Sequence, residues 1–172
     1  MQADRFTQKS LEAVNSLQKT AMDFGNQEIE QEHLLYVLLN QENSLILQMI
    51  EKMGIDANLF RNEVEAAINK RVKVQGGQPY VGQYLNYTLN YAENEAKKMG
   101  DEYVSVEHLF LAMLRHPSPS MKELFRQNGI TVDRFLQALQ SVRGNQKVTS
   151  DNPEETYDSL RKYGEDLVEK AR

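Results

Sequence analysis

The chain repeats itself without a gap. Gly25 and Gly100 stand 75 positions apart, and Glu32-His33-Leu34-Leu35 returns at that offset as Glu107-His108-Leu109-Phe110. Gly54-Ile55 returns as Gly129-Ile130, Phe60 as Phe135, Ala21 as Ala96 and Leu39 as Leu114, while Ile29 is replaced by Val104. Where identity is lost the apolar phase is kept: Val14 with Leu89, Met49 with Leu124, Val64 with Leu139. An ungapped register through several separate landmarks marks two copies of one supersecondary unit.

Each copy reads as four helices. In the first, Leu11, Val14, Leu17 and Ala21 recur at helical spacing over about Thr7 to Phe24, and Gly25 follows where a left-handed C-terminal cap is wanted. A second helix over about Gln31 to Gln41 carries Leu34, Leu35, Leu38 and Leu39. The third covers about Leu45 to Lys52 and ends at Gly54. The fourth starts after Asp56, an N-cap by type, and carries Leu59, Phe60, Val64, Ala67 and Ile68. Ser105 and Thr131 take the cap positions in the second copy. The fold predicted is therefore all-α: two pseudo-symmetric four-helix repeats packed as one globular domain over 1–144. Repeat one is expected at about 5–72, a Gly/Gln/Pro linker at 73–80 and repeat two at about 81–144. Residues 145–172 read as a polar linker followed by a charged helix with a thin stripe of Tyr157, Leu160, Gly164, Leu167 and Ala171, too little apolar surface to hold itself.

Composition closes several routes to function. There is no cysteine, so thiol chemistry, disulfides and Cys-ligated zinc are excluded. The net charge of −5 argues against nucleic acid, whose phosphates demand a basic surface. Neither a signal peptide nor a stretch approaching the ~20 apolar residues of a membrane span is present, which points to a cytoplasmic protein without a membrane partner. No phosphate-binding loop occurs, since Gly76-Gly77 lacks the lysine, and no HExxH pair or nucleophile elbow is found. No metal site and no catalytic residue are expected.

Two groups of residues have alternative readings. Glu32 and Glu107 lie about two residues into their helices, where a carboxylate complements the helix dipole; as a pseudo-symmetric pair they are also candidate receivers of a ligand's cationic groups. Tyr80, Tyr84, Tyr87 and Tyr91, spaced by four, three and four, share one face of the fifth helix, either as packing between repeats or as the wall of an amphipathic groove.

The paired Glu-His-Leu-Leu and Glu-His-Leu-Phe motifs, with Arg5-Phe6-Thr7 and Gly100-Asp101-Glu102-Tyr103-Val104-Ser105, resemble the Clp N-terminal repeat domain. The run Ser141 to Ser150, with Tyr157 and Lys162-Tyr163-Gly164-Glu165-Asp166-Leu167, resembles the ClpB disaggregase branch as it leads into its first ATPase domain. The resemblance implies a non-enzymatic, monomeric N-terminal module of a homohexameric AAA+ chaperone. ATP and Mg would belong to the parent, with no cofactor in this segment. Its partners would be unfolded or aggregated polypeptides, whose apolar segments it catches for threading; adaptor docking and a ligand-free regulatory spacer stay open as alternatives. The resemblance further implies that Thr7, Asp101 and Glu107 handle substrate, and that Leu89, Tyr91, Leu109 and Phe110 line an apolar groove. In the related ClpC branch the acids at the Glu32 and Glu107 positions help bind phosphorylated arginine. That branch has Gly-Thr before Glu-His, whereas Glu30-Gln31 and Ser105-Val106 stand here.

Overall fold

The computed structural model describes residues 5–153; the predicted helix and its stripe beyond Pro153 lie outside the described residues. Repeat one comprises α1 (Gln8–Asn15), α2 (Leu17–Asp23), a short strand β1 (Glu28–Ile29), α3 (Gln31–Leu39), α4 (Leu45–Lys52) and α5 (Ala57–Asn69). Repeat two comprises β2 (Tyr80–Val81), α6 (Gln83–Lys98), α7 (Val106–Arg115), α8 (Pro119–Gln127) and α9 (Val132–Arg143). The helices begin where the offset of 75 places them: Gln8 with Gln83, Gln31 with Val106, Ala57 with Val132.

One local difference separates the copies. The long first helix is continuous in repeat two but breaks at Ser16 in repeat one, where the Ser16 hydroxyl donates to the Ala13 carbonyl at 2.9 Å and competes with the backbone ladder. Its counterpart Tyr91 has no such group. Both copies close this helix alike: Gly25 and Gly100 take φ of 76° and 72°, and the next N–H, of Asn26 or Asp101, reaches back to the carbonyl of Ala21 or Ala96.

The small β pairings cross between repeats, which helical periodicity does not announce. Ile29 pairs in parallel with Val81, and Phe6 bridges in parallel to Val104. Phe6 and Val81 are repeat equivalents, as are Ile29 and Val104. Each copy therefore lends its entry strand to the other. Around this exchange one continuous core forms, with α3 and α7 at its centre. Leu34, Leu35, Leu38 and Leu39 are enclosed on α3, and Leu109 to Met113 on α7, as expected for helices that are apolar nearly all round. Phe110 packs between Phe125 and Phe135, with centroids 5.9 and 4.7 Å away. Of the apolar residues that α5 carries, Leu59 is exposed, while Phe60, Val64 and Ile68 are buried.

Candidate functional site

The Glu-His motifs turn out to be the anchors of two buried polar clusters, one per repeat. In repeat one the Glu30 backbone N–H donates to His33 Nδ1 at 2.9 Å. The proton of this ring therefore sits on Nε2, which donates to Asn26 Oδ1 at 2.9 Å. Burial, reinforced by the nearby Arg71 guanidinium, pushes His33 down to about 4. Asn26 in turn donates to the Val72 carbonyl at 3.1 Å and holds the chain as it leaves α5.

Glu30 does something its neighbours in sequence do not suggest. Its Oε1 accepts the Leu85 N–H at 3.0 Å and so caps α6 from the other repeat. The N-cap residue of α6 is Gly82, which has no side chain to do this; a Cβ there would lie 2.1 Å from Glu30 Oε1. Repeat one solves the same problem within itself, because Thr7 Oγ1 accepts the Ser10 N–H at 3.2 Å. Glu30 Oε2 is buried and has no hydrogen-bond partner among the described residues. Burial raises the Glu30 carboxyl above its ordinary range; the Leu85 bond opposes this, Glu32 and Glu28 add to it, and Arg71 opposes it.

Glu32 stands on the open side of the same cluster. Its Oε2 accepts from Arg71 at 3.0 Å and from the Ser120 hydroxyl at 3.2 Å, while Arg71 also pairs with Glu28 at 2.5 Å. In repeat two the Ser105 N–H donates to His108 Nδ1 at 2.8 Å, and His108 Nε2 reaches Asp101 Oδ2 at 2.7 Å. Asp101 Oδ1 accepts the Arg143 guanidinium and, at 3.0 Å, the Val148 N–H. Glu107 accepts from Arg143 at 3.3 Å and from the Ser105 hydroxyl. Burial by itself would raise the Asp101 carboxyl. The bonds from His108, Val148 and Arg143 outweigh it and hold this acid below its ordinary range.

Both acids read as candidate cation receivers thus hold an arginine of their own chain, Glu32 with Arg71 and Glu107 with Arg143. Of the polar candidates, Asp101 and Glu107 share one cluster. Thr7 is a buried helix cap tied to the same edge by its N–H bond to the Val104 carbonyl at 3.0 Å. The apolar candidates separate. Leu109 and Phe110 are fully enclosed in the core and line no groove in this conformation, because α7 is covered on all sides. Leu89 is half-buried against the core, and Tyr91, 38% exposed, stacks on His116 with centroids 4.2 Å apart. Tyr84, Tyr87 and Tyr91 do share the α6 face, but Tyr80 lies in β2. Among the described residues no grouping of three His, Asp or Glu side chains could hold a metal ion, and no helix is long and apolar enough to cross a membrane.

A concavity between α5 and α8 was not anticipated. It is a cleft of about 920 Å³ lined on its apolar side by Ala66, Ala67, Val72, Val74, Leu124 and Tyr80. Glu28, Glu32, Glu63 and Glu123 stand around it, with Lys70 and Arg71. The side chains that make it accessible are small alanines on a helix face, a pattern that reads as ordinary packing until a second helix is seen to stand away from it. A second, smaller cleft of about 440 Å³ is bounded by Arg5, Glu93, Lys97, Asp101, Glu102 and Val104.

Residues 5–128 match the family described as the Clp repeat (R) N-terminal domain. A chaperone protein ClpB of Nitratidesulfovibrio vulgaris is 40% identical over 178 aligned positions, covering all of this chain and 21% of that protein. One of Bacillus cereus is 39% identical over the whole chain and 20% of its own length. The chain thus spans about a fifth of the length of these relatives. Among solved structures, the Hsp104 N-terminal domain of Candida albicans superposes with a TM-score of 0.71 at 20% identity, covering 85% of this chain and 96% of that one. A complex of the ClpV N-domain with a VipB peptide gives a TM-score of 0.63 at 21% identity, covering 80% of this chain and 86% of that one.

Proposed function

The chain belongs to the Clp repeat N-terminal domain family, and from that premise we propose that it captures exposed apolar segments of non-native polypeptides for an ATP-driven, ClpB-type disaggregase. The observation that carries this reading is the cleft between α5 and α8. Apolar lining residues among charged ones of both signs, four glutamates with Lys70 and Arg71, accept aliphatic side chains while leaving the backbone of an extended segment at a polar rim. Such a site binds without reading much sequence. A contribution of ~4–6 kcal/mol, sub-millimolar or weaker, suits a ligand that a motor must later strip. Threading, ATP and Mg, and the hexamer would belong to other parts of the parent. Tyr91 and Leu89 offer a further apolar edge on α6, while Thr7, Asp101 and Glu107 serve by holding the framework of repeat two.

The test is an amide-shift titration of the chain with reduced, carboxymethylated α-lactalbumin, a permanently unfolded protein. Saturable shifts at Ala66, Ala67 and Leu124, lost in Ala67→Arg with the remaining spectrum unchanged, are expected. No shift at millimolar concentration excludes capture at this cleft. A second reading, docking of a defined partner, is favoured by the shared fold with the ClpV N-domain seen with a VipB peptide. A defined partner saturates at fixed stoichiometry and is not displaced by α-lactalbumin.

A further inference from the structure

The segment that leaves α9 does not simply depart. After Gly144 it turns back across repeat two. Lys147 Nζ donates to the Met99 carbonyl at 2.7 Å, Val148 N–H donates to Asp101 Oδ1 at 3.0 Å, and Glu102 N–H donates to the Val148 carbonyl at 2.8 Å. Three residues further on, Gln8 N–H donates to the Asp151 carbonyl at 2.7 Å. Both backbone groups of Val148 are thereby paired, and its side chain is 0% exposed while Lys147 and Thr149 on either side face solvent. One enclosed aliphatic side chain with both its backbone groups bonded, flanked by outward residues, is how an extended peptide sits in a recognition groove.

The other repeat shows that this arrangement is an addition. There Lys73 Nζ, one position out of the repeat register, donates to the corresponding carbonyl, of Phe24, at 2.7 Å; Val74 N–H donates to the Gly25 carbonyl at 2.9 Å, and Asn26 holds the Val72 carbonyl. Yet Val72 is 80% exposed and Val74 also lies open. The repeat folds without burying a side chain of its exit segment, so burial of Val148 is not a requirement of the unit. The chemistry that differs is Asn26 against Asp101. An anionic acceptor, already steadied by His108 and Arg143, takes a backbone N–H more strongly than an amide could. Beside it the smaller cleft, bounded by Asp101, Glu102 and Val104, leaves room for a bound strand to continue.

We propose that the pocket filled by Val148, with Asp101 and the Glu102 N–H, is a binding slot for extended polypeptide carrying a branched aliphatic residue, and that the chain's own exit segment is its exchangeable resident. Displacement frees residues 145–152 from the body of the domain at the moment a competitor binds. Only the identity of that competitor, non-native polypeptide, rests on the capture reading; the slot itself does not.

The experiment uses the full chain with Val148→Ser and, as probe, a capped peptide copying Gln146–Asn152. With the resident weakened, the peptide shifts the Asp101 and Glu102 amides saturably and binds about tenfold or more tightly than to the native chain, since an internal occupant lowers apparent affinity by the fraction of time the slot is filled. A peptide with serine in place of its valine does not bind. Absence of saturable shifts at millimolar peptide, with the repeat-one amides unmoved, overturns the slot. Should the variant lose the repeat-two spectrum, hydrogen exchange on the native chain decides. Val148 and Glu102 amides exchanging together and faster than those of α7 support an exchangeable resident, and exchange as slow as α7 overturns it. α-Lactalbumin separates the two readings. Shifts at Ala66 and Ala67 without peptide binding at Glu102 keep capture and reject the slot, and the reverse pattern keeps the slot and rejects capture at the cleft.

Discussion

The two repeats share a backbone and solve its polar requirements differently. Repeat one keeps its histidine against a neutral amide, Asn26, and places its arginine at the rim, where the Arg71 side chain is 21% exposed. Repeat two keeps its histidine against a carboxylate, Asp101, and sinks Arg143 to 3% exposure between Asp101 and Glu107. The position equivalent to Arg143 in repeat one is Ile68, a fully buried core residue. Repeat two has thus put a cation where the fold expects a hydrocarbon, and two acids must be nearby to make that tolerable. The lesson is that duplication fixes a scaffold of helix ends and leaves the charges within it free to diverge: one cluster faces an open cleft, the other closes around its own exit segment.

Removing each arginine is the largest test of that difference. Arg143→Met leaves Asp101 and Glu107 buried without their cation and is expected to cost about 3–5 kcal/mol in urea unfolding. Arg71→Met removes the cation from a buried acid, Glu32, and an open one, Glu28, from a guanidinium that is itself 21% exposed, and should cost less, about 1–3 kcal/mol. Equal losses would contradict the asymmetry.

Acid should distinguish the clusters by window. His33 is held at about 4, against an unfolded value near 6.5, so between those values the unfolded chain binds a proton that the folded chain refuses. Stability from this group is complete above about pH 6.5 and is lost as pH falls toward 4, on the order of 3 kcal/mol in all. Asp101, lowered in the fold, contributes fully above its unfolded value near 4, and its share is lost as pH falls from there through the lower folded value. His33→Gln should therefore flatten the upper window in calorimetry and leave the lower one in place.

The crossed cap between repeats offers a smaller effect with a built-in rescue. Gly82→Ser puts a Cβ into Glu30 Oε1 and should destabilise by about 1–3 kcal/mol. Adding Glu30→Ser reproduces the pairing that already stands at the pseudo-symmetric position, where Thr7 caps α1 opposite Ser105, and should recover most of the loss. Thermal unfolding of the single and double variants measures this; no recovery would mean that Glu30 is not the reason a glycine stands at 82.

Much of this framework was legible in advance, and the reasons for the rest are physical. Helix ends could be placed because glycine at Gly25 and Gly100 and short polar caps at Asp56, Ser105 and Thr131 act within a few residues. The exchange of entry strands could not, since two-residue pairings leave no period to detect. Leu109 and Phe110 were placed on a groove by family likeness, but α7 is apolar on nearly every side and is buried for that reason. Arg143 carried a usable signal: aligned on the repeat it falls opposite Ile68, so a charge at a core position already called for acidic partners. Nothing in the order of residues marked Glu30 as the cap of a helix 55 positions away.

Glu30 also supplies the mildest test, and its sign is the informative part. Its carboxyl is raised in the fold, first by burial, so what it contributes is present below its unfolded value and is lost as pH rises through the folded one. When ionised, Glu30 is a buried negative charge with one oxygen unpartnered, in the company of Glu32 and Glu28. Glu30→Gln keeps the oxygen that accepts the Leu85 N–H and deletes the charge. A neutral acceptor makes a weaker cap than a carboxylate, and the amide leaves a buried donor in place of the unpaired oxygen, so the gain is limited. The desolvation relieved is nevertheless the larger quantity for an ionised group. The variant should gain about 1 kcal/mol at pH 7, and the gain should shrink toward pH 4. A loss at pH 7 would mean that the charge of Glu30 matters to the α6 end more than its burial costs, and that repeat one, like repeat two, depends on a buried anion.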